Sequence, residues 1–322
     1  MGWLARRFGL ACDNVASYEV VTADGATLRV TDSRHEDLFW GLRGGGGNFG
    51  VVTEFEFRLH EVGTSAMLID NTFDLAQAPA AMRRWRDLLG NDLPVEATPM
   101  AWIGTMPDSA EVQAPLRNRT VASLGFVWVG DVEEGRRLIP LVASLGEPLA
   151  ERAEELSYLQ LQTADDEWHH PGTRRRYYKG HYLPQLSDEA IDAFLSRGQP
   201  DPDADGALLP SGSFQGHGGA IAATSNEDSA FGHRNTLVEF VASTAWTEPA
   251  EDHQRIDAAR RYGAALEPFA SGVYVNVLGD EGETGVRRAY PADKLARLAA
   301  LKRKYDSDNV FHLNQNIRPD TS

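Results

Sequence analysis

Hydrophobic and polar positions alternate along the first sixty residues, which predicts strands joined by short turns. Residues 16–31 alternate on both sides of an Ala-Asp-Gly sequence at 23–25, and Asp-Gly between two β-branched runs is a strong hairpin signal. Residues 35–43 have the spacing of a short helical turn. Four consecutive glycines, 44–47, separate this turn from a further alternating run at 51–59, which we predict to be a strand.

From about residue 63 onward, helix-like and strand-like patterns alternate at longer spacing. The pattern predicts helices at 75–89, 132–145, 187–198 and 251–268, and strands at 123–130, 237–246 and 272–278. Residues 199–219 are rich in Pro, Gly, Asp and Ser, so we expect a long loop there. Together these elements indicate the α+β class, a sheet with helices gathered on one face.

The carboxyl end combines an amphipathic helix with a short alternating run. Pro291 opens the predicted helix, and apolar residues follow it at helical spacing as far as Tyr305. Residues 310–317 then alternate, which predicts a half-buried strand with Asn314 and Asn316 on its polar side. Two amides on one face could hydrogen-bond a polar ligand.

Composition narrows the range of partners. The chain of 322 residues is long enough for about two domains, and its 42% hydrophobic content is ordinary for a globular protein. Lys and Arg number 31 against 47 Asp and Glu, a net charge of −16, so neither nucleic acid nor a membrane surface is a predicted partner. No apolar run approaches the roughly 20 residues of a membrane span, and the amino-terminal apolar stretch is too short for a signal sequence. We therefore expect a cytoplasmic protein.

Common catalytic and metal motifs are missing from the sequence. Cys12 is the one cysteine, which excludes an internal disulfide, and with no adjacent cation we interpret it as a buried thiol rather than a nucleophile. The nine histidines lack the spacing of a metal site, so no metal is predicted. Ser211 stands where a nucleophile elbow requires Gly. Residues 174–182 mix cations with aromatics, which suits either a strand lining a substrate cleft or a plain surface strand.

The sequence from Gly45 to Gly50 matches the G-x-G-x-x-G pattern of dinucleotide-binding loops. That pattern needs a strand before it and a helix after it, whereas here a helical turn precedes and a β-branched strand follows, so the Rossmann interpretation fails. Glycines still allow positive φ and close approach of a ligand to the main chain. On the residues alone, a wide turn and a ligand cradle remain equally open.

Two blocks of sequence together resemble a known family. They comprise residues 2–14, 20–25 and 38–53 at one end, and residues 274–276, 301–306 and 309–317 at the other. In order, content and spacing they resemble the berberine-bridge-enzyme-like FAD-linked oxidases of the vanillyl-alcohol-oxidase type. The resemblance implies the later part of a PCMH-type FAD-binding domain at 1–62, an antiparallel-sheet substrate domain backed by helices at 63–285, and a berberine-like segment at 286–322 that returns to the FAD domain.

The resemblance also implies FAD as the cofactor. In the family, the main chain of the glycine-rich segment and the valines after it lie along FAD, and the Asn-Gln-Asn segment approaches the flavin and its ribityl chain. The residues implied to bind the cofactor are Gly2, Gly47, Asn48, Phe49, Gly50, Val51, Val52, Asn314 and Asn316.

The implied activity is that of an FAD-dependent oxidoreductase. A hydride passes from an alcohol or amine carbon of a small molecule (a sugar, alkaloid or polyketide-like compound) to the flavin, and the electrons then pass to oxygen. The usual catalytic bases of the family are absent, because Val277 replaces a Tyr and alanines replace a Glu after Gly219. The remaining candidates for the base are Tyr274, Tyr177, His217 and Tyr182. Core packing for Tyr274 and a loop position for His217 stay open as alternatives.

This chain departs from the family at its amino end. Family members carry a preceding section with a diphosphate-binding loop and with the His and Cys that attach FAD covalently, whereas this sequence begins after that section, and Cys12 lies past the attachment position. Without the loop we expect weak FAD binding, because the diphosphate loses hydrogen-bond donors. The alternative prediction is a non-catalytic fragment, or half of a split flavoenzyme that needs an amino-terminal half-domain partner to bind FAD.

Overall fold

The computed structural model describes residues 1–90, 93–110, 112–166, 170–199 and 208–320. The strands of this described part are Val15–Val21 (β1), Thr27–Thr31 (β2), Val51–Phe57 (β3), Ser65–Asp74 (β4), Ala97–Thr105 (β5), Thr120–Val129 (β6), Ala150–Ser157 (β7), Arg175–Leu183 (β8), Ser211–Gly216 (β9) and Val238–Trp246 (β10). Its α-helices are Ala5–Phe8 (α1), Glu36–Leu42 (α2), Ala78–Asp87 (α3), Val132–Gly135 (α4), Ile139–Ala143 (α5), Tyr158–Thr163 (α6), Asp188–Leu195 (α7), Ala220–Ala223 (α8), Asp252–Leu266 (α9), Gly282–Ala289 (α10) and Ala292–Tyr305 (α11). None of these helices has the length and apolar character needed to cross a membrane.

These elements form two compact units. Unit one consists of Met1–Glu61, Gly218–Thr236 and the chain from Ser271 onward, and unit two consists of Val62–His217 and Leu237–Ala270. Unit one thus includes residues 218–236 and 271–285, which the resemblance placed in the substrate domain. Each unit has a hydrophobic core of its own.

Unit one is built on an antiparallel three-stranded sheet in the order β2-β1-β3. Tyr18 in β1 pairs with Val30 in β2 and with Phe55 in β3, and Gly25 adopts a φ of 81° in the turn, so the predicted hairpin is confirmed. The core of this unit joins the sheet to α2 and α11. Its buried side chains include Val20, Val30, Leu38, Phe39, Phe49, Leu298 and Leu301.

Unit two is built on an antiparallel seven-stranded sheet in the order β7-β4-β6-β5-β9-β10-β8. Successive side chains of a strand point to opposite faces, and here the more apolar face packs against helices α3, α7 and α9. The large side chains buried between sheet and helices include Trp85, Phe194, Phe214, Phe240 and Tyr262. The predicted α+β class, with helices gathered on one face of an antiparallel sheet, is confirmed.

Residues 199–219 do not form one long loop, so that prediction was wrong in part. Residues 211–216 form β9, which pairs with β5 on one side and β10 on the other. Its glycines make room for neighbours, because a Cβ on Gly212 would lie 2.1 Å from the Tyr262 hydroxyl oxygen. Pairing on both sides stabilises a strand whose Ser-Gly composition has little β-propensity of its own. Residues 200–207 lie outside the described part of the chain.

Three other predicted elements differ in the structure. The helix predicted at 132–145 is interrupted by a 3-10 turn between α4 and α5, and Val275–Val277 is a 3-10 turn rather than a strand. Residues 310–317 pair with no strand of the described residues. There the backbone N–H groups of Val310 and Phe311 donate instead to the carboxylate of Asp306. Side chains, rather than a sheet, thus supply the hydrogen bonds of this segment.

Candidate functional site

The glycine-rich loop, residues 44–50, connects α2 to β3 in unit one. Two of its glycines are required by packing: a Cβ on Gly44 would lie 2.3 Å from the backbone nitrogen of Phe231, and one on Gly45 would lie 2.4 Å from a main-chain oxygen of α2. Gly46 and Gly47 are exposed, and Gly46 has a φ of 69°. The loop therefore holds a tightly packed first half and presents bare main chain in its second half.

Asn48 ties this loop to the carboxyl-terminal segment. Its side chain is only 2% exposed, and its amide nitrogen donates to the carbonyl oxygens of Gly45 at 2.9 Å and Gln315 at 3.2 Å. Its amide oxygen accepts a hydrogen bond from the backbone N–H of Ile317 at 3.0 Å. These bonds commit both ends of the Asn48 side-chain amide to holding the loop, so this residue fixes the shape of the site.

Lys302 also joins the glycine-rich loop to the carboxyl-terminal segment. Its side chain is fully buried, and its ammonium group donates to the Asn48 carbonyl at 2.8 Å, to the Asp306 carboxylate at 2.6 Å and to the Phe311 carbonyl at 2.7 Å. Burial raises the pKa of Asp306, but hydrogen bonds from Lys302 and from two backbone N–H groups outweigh it and hold that pKa below its usual value. Sequence reasoning missed this pair, although a Lys and an Asp four residues apart at a helix end offered a signal.

Asn314 and Asn316 lie in the segment that Asn48 ties to the loop. Asn314 is exposed, and its amide nitrogen would lie 2.5 Å from a Cβ on Gly47, so this side chain approaches the bare main chain closely. The side-chain oxygen of Asn316 is buried and has no hydrogen-bond partner among the described residues. A buried acceptor without a donor is costly, and a bound group with N–H or O–H donors would satisfy it. The loop and these two amides therefore fit a polar organic cofactor such as FAD.

The other residues of unit one implied to bind FAD have mixed environments. Gly2 is exposed with open space around it, and Val51 is 55% exposed. Phe49 is fully buried in the core, and Gly50 packs against β1, where a Cβ would meet the carbonyl oxygen of Val21 at 2.6 Å. The core location of Phe49 is explained by packing alone. Val52, partly buried, also packs against that core.

Tyr274, one of the candidate bases, also lies in unit one. Its hydroxyl accepts a hydrogen bond from the Asn276 amide at 2.7 Å, and its ring packs edge-to-face with Phe231 at a centroid distance of 6.3 Å. The side chain is half-buried. It therefore has a defined orientation and could meet a ligand.

His217 belongs to a buried row of polar side chains in unit two. It follows β9 directly, is 3% exposed, and its Nε2 lies 3.8 Å from the carboxylate of Glu239, which is 4% exposed. Glu239 pairs in register with Tyr182 on β8 and with Gln215 on β9, which places these three side chains on one face of the sheet. The Tyr182 ring packs edge-to-face with the imidazole of His217 at 5.5 Å.

This row combines groups that can accept and donate protons. A buried carboxylate beside an imidazole is a pairing that a general base can use. Sequence reasoning named His217 and Tyr182 but missed Glu239 and Gln215. The signal for Glu239 was a single carboxylate in the otherwise apolar strand pattern at 237–246.

Tyr177, the remaining candidate base, lies on β8 five residues before Tyr182, so the two side chains point to opposite faces of the sheet. Its hydroxyl accepts a hydrogen bond from Arg260 of α9 at 3.3 Å, so its ring lies on the face that the helices cover. The structure therefore brings Tyr182 and His217 together and places Tyr177 on the other face of the sheet. The contact with Arg260 of α9 orients its hydroxyl.

Cys12 lies in unit one near buried charged groups. Burial, and next the carboxylate of Asp13, raise the pKa of the thiol to about 12, so it stays protonated at neutral pH. Arg234, 1% exposed, donates to both carboxylate oxygens of Asp13, at 3.0 and 2.6 Å. Among the described residues, no group of three or more His, Cys, Asp or Glu side chains could hold a metal ion.

Comparisons with known proteins identify similar sequences. A family described as berberine and berberine like matches residues 273–318. The chain is 25% identical to an uncharacterized FAD-linked oxidoreductase, YvdP, of Bacillus subtilis, an alignment that covers 99% of this chain and 68% of that protein. It is 26% identical to (R)-6-hydroxynicotine oxidase of Paenarthrobacter nicotinovorans, over 100% of this chain and 69% of that protein.

The fold matches solved structures over the same extent. The wild-type BBE-like 1 protein of Physcomitrella patens superposes with a TM-score of 0.82 at 22% identity, covering all of this chain and 69% of that one. A glucooligosaccharide oxidase of Acremonium strictum gives a TM-score of 0.82 at 22% identity, again over 100% of this chain and 69% of that chain. The chain therefore spans about two thirds of the length of the relatives it matches. These matches confirm the resemblance stated from the sequence.

Proposed function

Since this chain is similar over its whole length to the berberine-bridge-enzyme-like FAD-linked oxidoreductases, we propose that it binds FAD and oxidises an alcohol or amine carbon of a small molecule. The observation that carries the proposal is the exposed glycine main chain of residues 46–47, held beside Asn314 by Asn48 and Lys302. FAD, when bound, would supply the two-electron chemistry of this oxidation, with oxygen as the proposed electron acceptor.

Unit one supplies the groups for cofactor binding. Gly46 and Gly47 lack side chains, so a ligand can approach their backbone closely. The buried oxygen of Asn316 would accept a hydrogen bond from a cofactor donor, and the Asn314 amide can both donate and accept. The buried Lys302–Asp306 pair holds these groups in place before the ligand arrives, which lowers the ordering cost of binding.

Unit two supplies the groups for acid–base chemistry. Oxidation of an alcohol carbon releases the hydroxyl proton, which needs an acceptor. We assign that role to the imidazole of His217, with the carboxylate of Glu239, 3.8 Å away, stabilising the charge that the ring acquires. This role is argued from the buried pair itself, since the bases usual in the family are absent from the sequence.

The substrate class is argued from the same face of the sheet in unit two. Register places Tyr182, Glu239 and Gln215 in one row, and the pair Tyr178 and Ser243 lies on the same face four positions away along β8 and β10. Aromatic rings, hydroxyls and a carboxylate suit a hydroxylated or amine-bearing small molecule, the class that includes sugars, alkaloids and polyketide-like compounds.

A second candidate function is favoured by the outer strand of unit one. The large side chains of Val51, Phe55 and Phe57 on β3 are 55%, 53% and 43% exposed. An exposed apolar strand at a sheet edge is a surface that another polypeptide can cover. On this alternative the chain is a non-catalytic half that binds FAD only together with an amino-terminal half-domain partner.

Titration of the purified chain with FAD, followed by flavin absorbance and fluorescence, separates the two candidates. The oxidoreductase proposal expects saturable binding, weakened about 5-fold in Asn316→Ala because one hydrogen bond is worth about 1 kcal/mol. Asn226→Ala, an exposed asparagine of the same unit, serves as the matched control. A cooperatively melting chain that binds no FAD would favour the half-enzyme.

Activity is then tested by oxygen uptake of the FAD-loaded chain. The first compounds are glucooligosaccharides and 6-hydroxynicotine, because oxidases of these are among the relatives. Hydrogen peroxide formed in step with oxygen uptake supports oxygen as the electron acceptor. Turnover with an artificial dye but not with oxygen contradicts the oxygen part of the proposal.

A further inference from the structure

A cavity of about 510 Å³ opens in unit two, where β8 begins, β10 ends and α9 begins. Its volume falls within the roughly 300–1,000 Å³ typical of small-molecule sites. The residues that line it are 172–176, Trp246, Thr247, Asp252 and Ile256. Arg176 lies six residues before Tyr182 on β8, about 20 Å along the strand, so the cavity is distant from the row of polar side chains around His217.

The lining of this cavity is basic in a protein that is strongly acidic overall. Three consecutive arginines, 174–176, line it together with one acidic residue, Asp252, whereas the whole chain carries a net charge of −16. Arg175 is paired with that carboxylate, because its guanidinium donates to both oxygens of Asp252 at 2.5 and 2.6 Å. Hydrogen bonding from Arg175 holds the pKa of Asp252 below its usual value, so the carboxylate stays ionised. The charge of Asp252 is thus committed to this pair.

Arg176 has one guanidinium nitrogen that the protein leaves without an acceptor. Its Nη2 is buried and has no hydrogen-bond partner in the described part of the chain. The residue opposite it on β10 is Ala245, whose methyl group offers no acceptor. A buried, unpaired donor of a charged group costs stability, and a bound anion would offset that cost.

We propose that this cavity binds the oxyanion group, carboxylate or phosphate, of a small molecule, with Arg176 as its principal anchor. A guanidinium presents a rigid fork of N–H donors that matches the paired oxygens of either group. The Arg175–Asp252 pair also lines the cavity, and its two partners are already hydrogen-bonded to each other. The proposal is independent of FAD, so its test needs no flavin.

Isothermal titration calorimetry of the full chain, in a chloride buffer of low ionic strength, tests this site. The probes are inorganic phosphate and benzoate, which distinguish the two oxyanion sources. We expect at least one of them to bind saturably, and Arg176→Gln to weaken that binding about tenfold or more, as expected for a charge-assisted bidentate contact. The matched control is Arg137→Gln, which removes the same charge from a 75% exposed arginine of the same unit and should bind as the parent chain does.

Two further measurements separate an anchor from a structural residue. Arg176→Lys keeps the charge but loses the fork, so its affinity should fall between those of the parent chain and Arg176→Gln. Because the Nη2 of Arg176 has no hydrogen bond to lose, the melting temperature of Arg176→Gln should equal or exceed that of the parent chain. A melting temperature several degrees lower, equal affinity in Arg176→Gln, or no binding of either probe to the parent chain would each overturn the proposal.

Discussion

The sheets of the two units differ in how their apolar faces are covered. In unit two, helices α3, α7 and α9 cover one face of seven strands, and Phe194, Phe214 and Phe240 are fully buried. In unit one, β3 is one of the two outer strands of a three-stranded sheet, and its Phe55 and Phe57 are 53% and 43% exposed. Unit two thus covers its core with its own helices, whereas unit one leaves apolar strand surface exposed.

The two units also differ in what holds their loops. In unit one, buried charged side chains hydrogen-bond to the loops. Lys302 donates to three acceptors, and Arg234 donates to the carboxylate of Asp13. Lys294 donates to the carbonyl oxygens of Ser229 and Phe231. Buried ion pairs are weak sources of net stability, but removing one partner is costly. The comparison teaches that unit one uses buried charges to define loop geometry around its glycine-rich loop, while the large apolar cluster of unit two supplies stability.

The largest effect is expected on kcat, from removal of the proposed proton acceptor of unit two. His217→Asn should lower kcat by about 10²–10⁴-fold, because it removes the proposed proton acceptor, while FAD affinity stays unchanged. The measurement is steady-state oxygen uptake with a substrate from the screen above, paired with FAD titration. His253→Asn, at a 91% exposed histidine of α9, should keep full activity. Loss of FAD binding in His217→Asn would contradict the division of roles between the units.

The next effect concerns the buried anchor of unit one. Lys302→Met leaves Asp306 buried without its cation, so the free energy of unfolding should fall by about 3–5 kcal/mol. Lys304→Met removes an exposed lysine, 58% accessible and paired with Asp37, and should cost about 1 kcal/mol or less. Denaturant unfolding followed by tryptophan fluorescence measures both variants. Equal losses would show that the buried network does not hold the loop.

Acidification should reveal the same anchor with a smaller effect. The pKa of Asp306 is below its usual value in the folded chain, so its contribution is fully present above the pKa of the unfolded carboxyl, about 3.9, and is lost as pH falls through the lower folded pKa. The stability gap between the parent chain and Asp306→Asn should therefore be largest near neutral pH and shrink as pH falls below about 4. Urea unfolding at several pH values measures the gap. A gap independent of pH would contradict the lowered pKa.

The smallest effect on stability is expected at β3. Phe57→Thr replaces a 43% exposed ring with a residue of high β-propensity, so the free energy of unfolding should change by less than about 1 kcal/mol. The same change should reduce self-association, measured by sedimentation velocity of concentrated samples, because it removes exposed apolar surface. Leu161→Thr, at a 6% exposed leucine, provides the contrast and should cost clearly more.

Local patterns were sufficient wherever one face of an element meets a core. The hairpin around Gly25, the long helices α9 and α11, and the α+β class all followed from alternation or helical spacing, because burial of one face imposes that spacing on the residues. The same reasoning failed at residues 310–317. Their alternation resembles a strand, but Asp306 and Lys302 take up the backbone groups that a sheet would use.

The sequence by itself determined the class of fold, the glycine-rich loop with its two asparagines, and, through resemblance, the family of relatives. Only the tertiary structure decided that β9 is a central strand, that Asn48 bonds to Ile317 across 269 positions, and that Glu239 lies beside His217. The physical reason is the range of the interactions. Propensity and periodicity act between neighbours in the chain, whereas a buried donor chooses its acceptor from whatever the fold brings within about 3 Å, however distant in sequence.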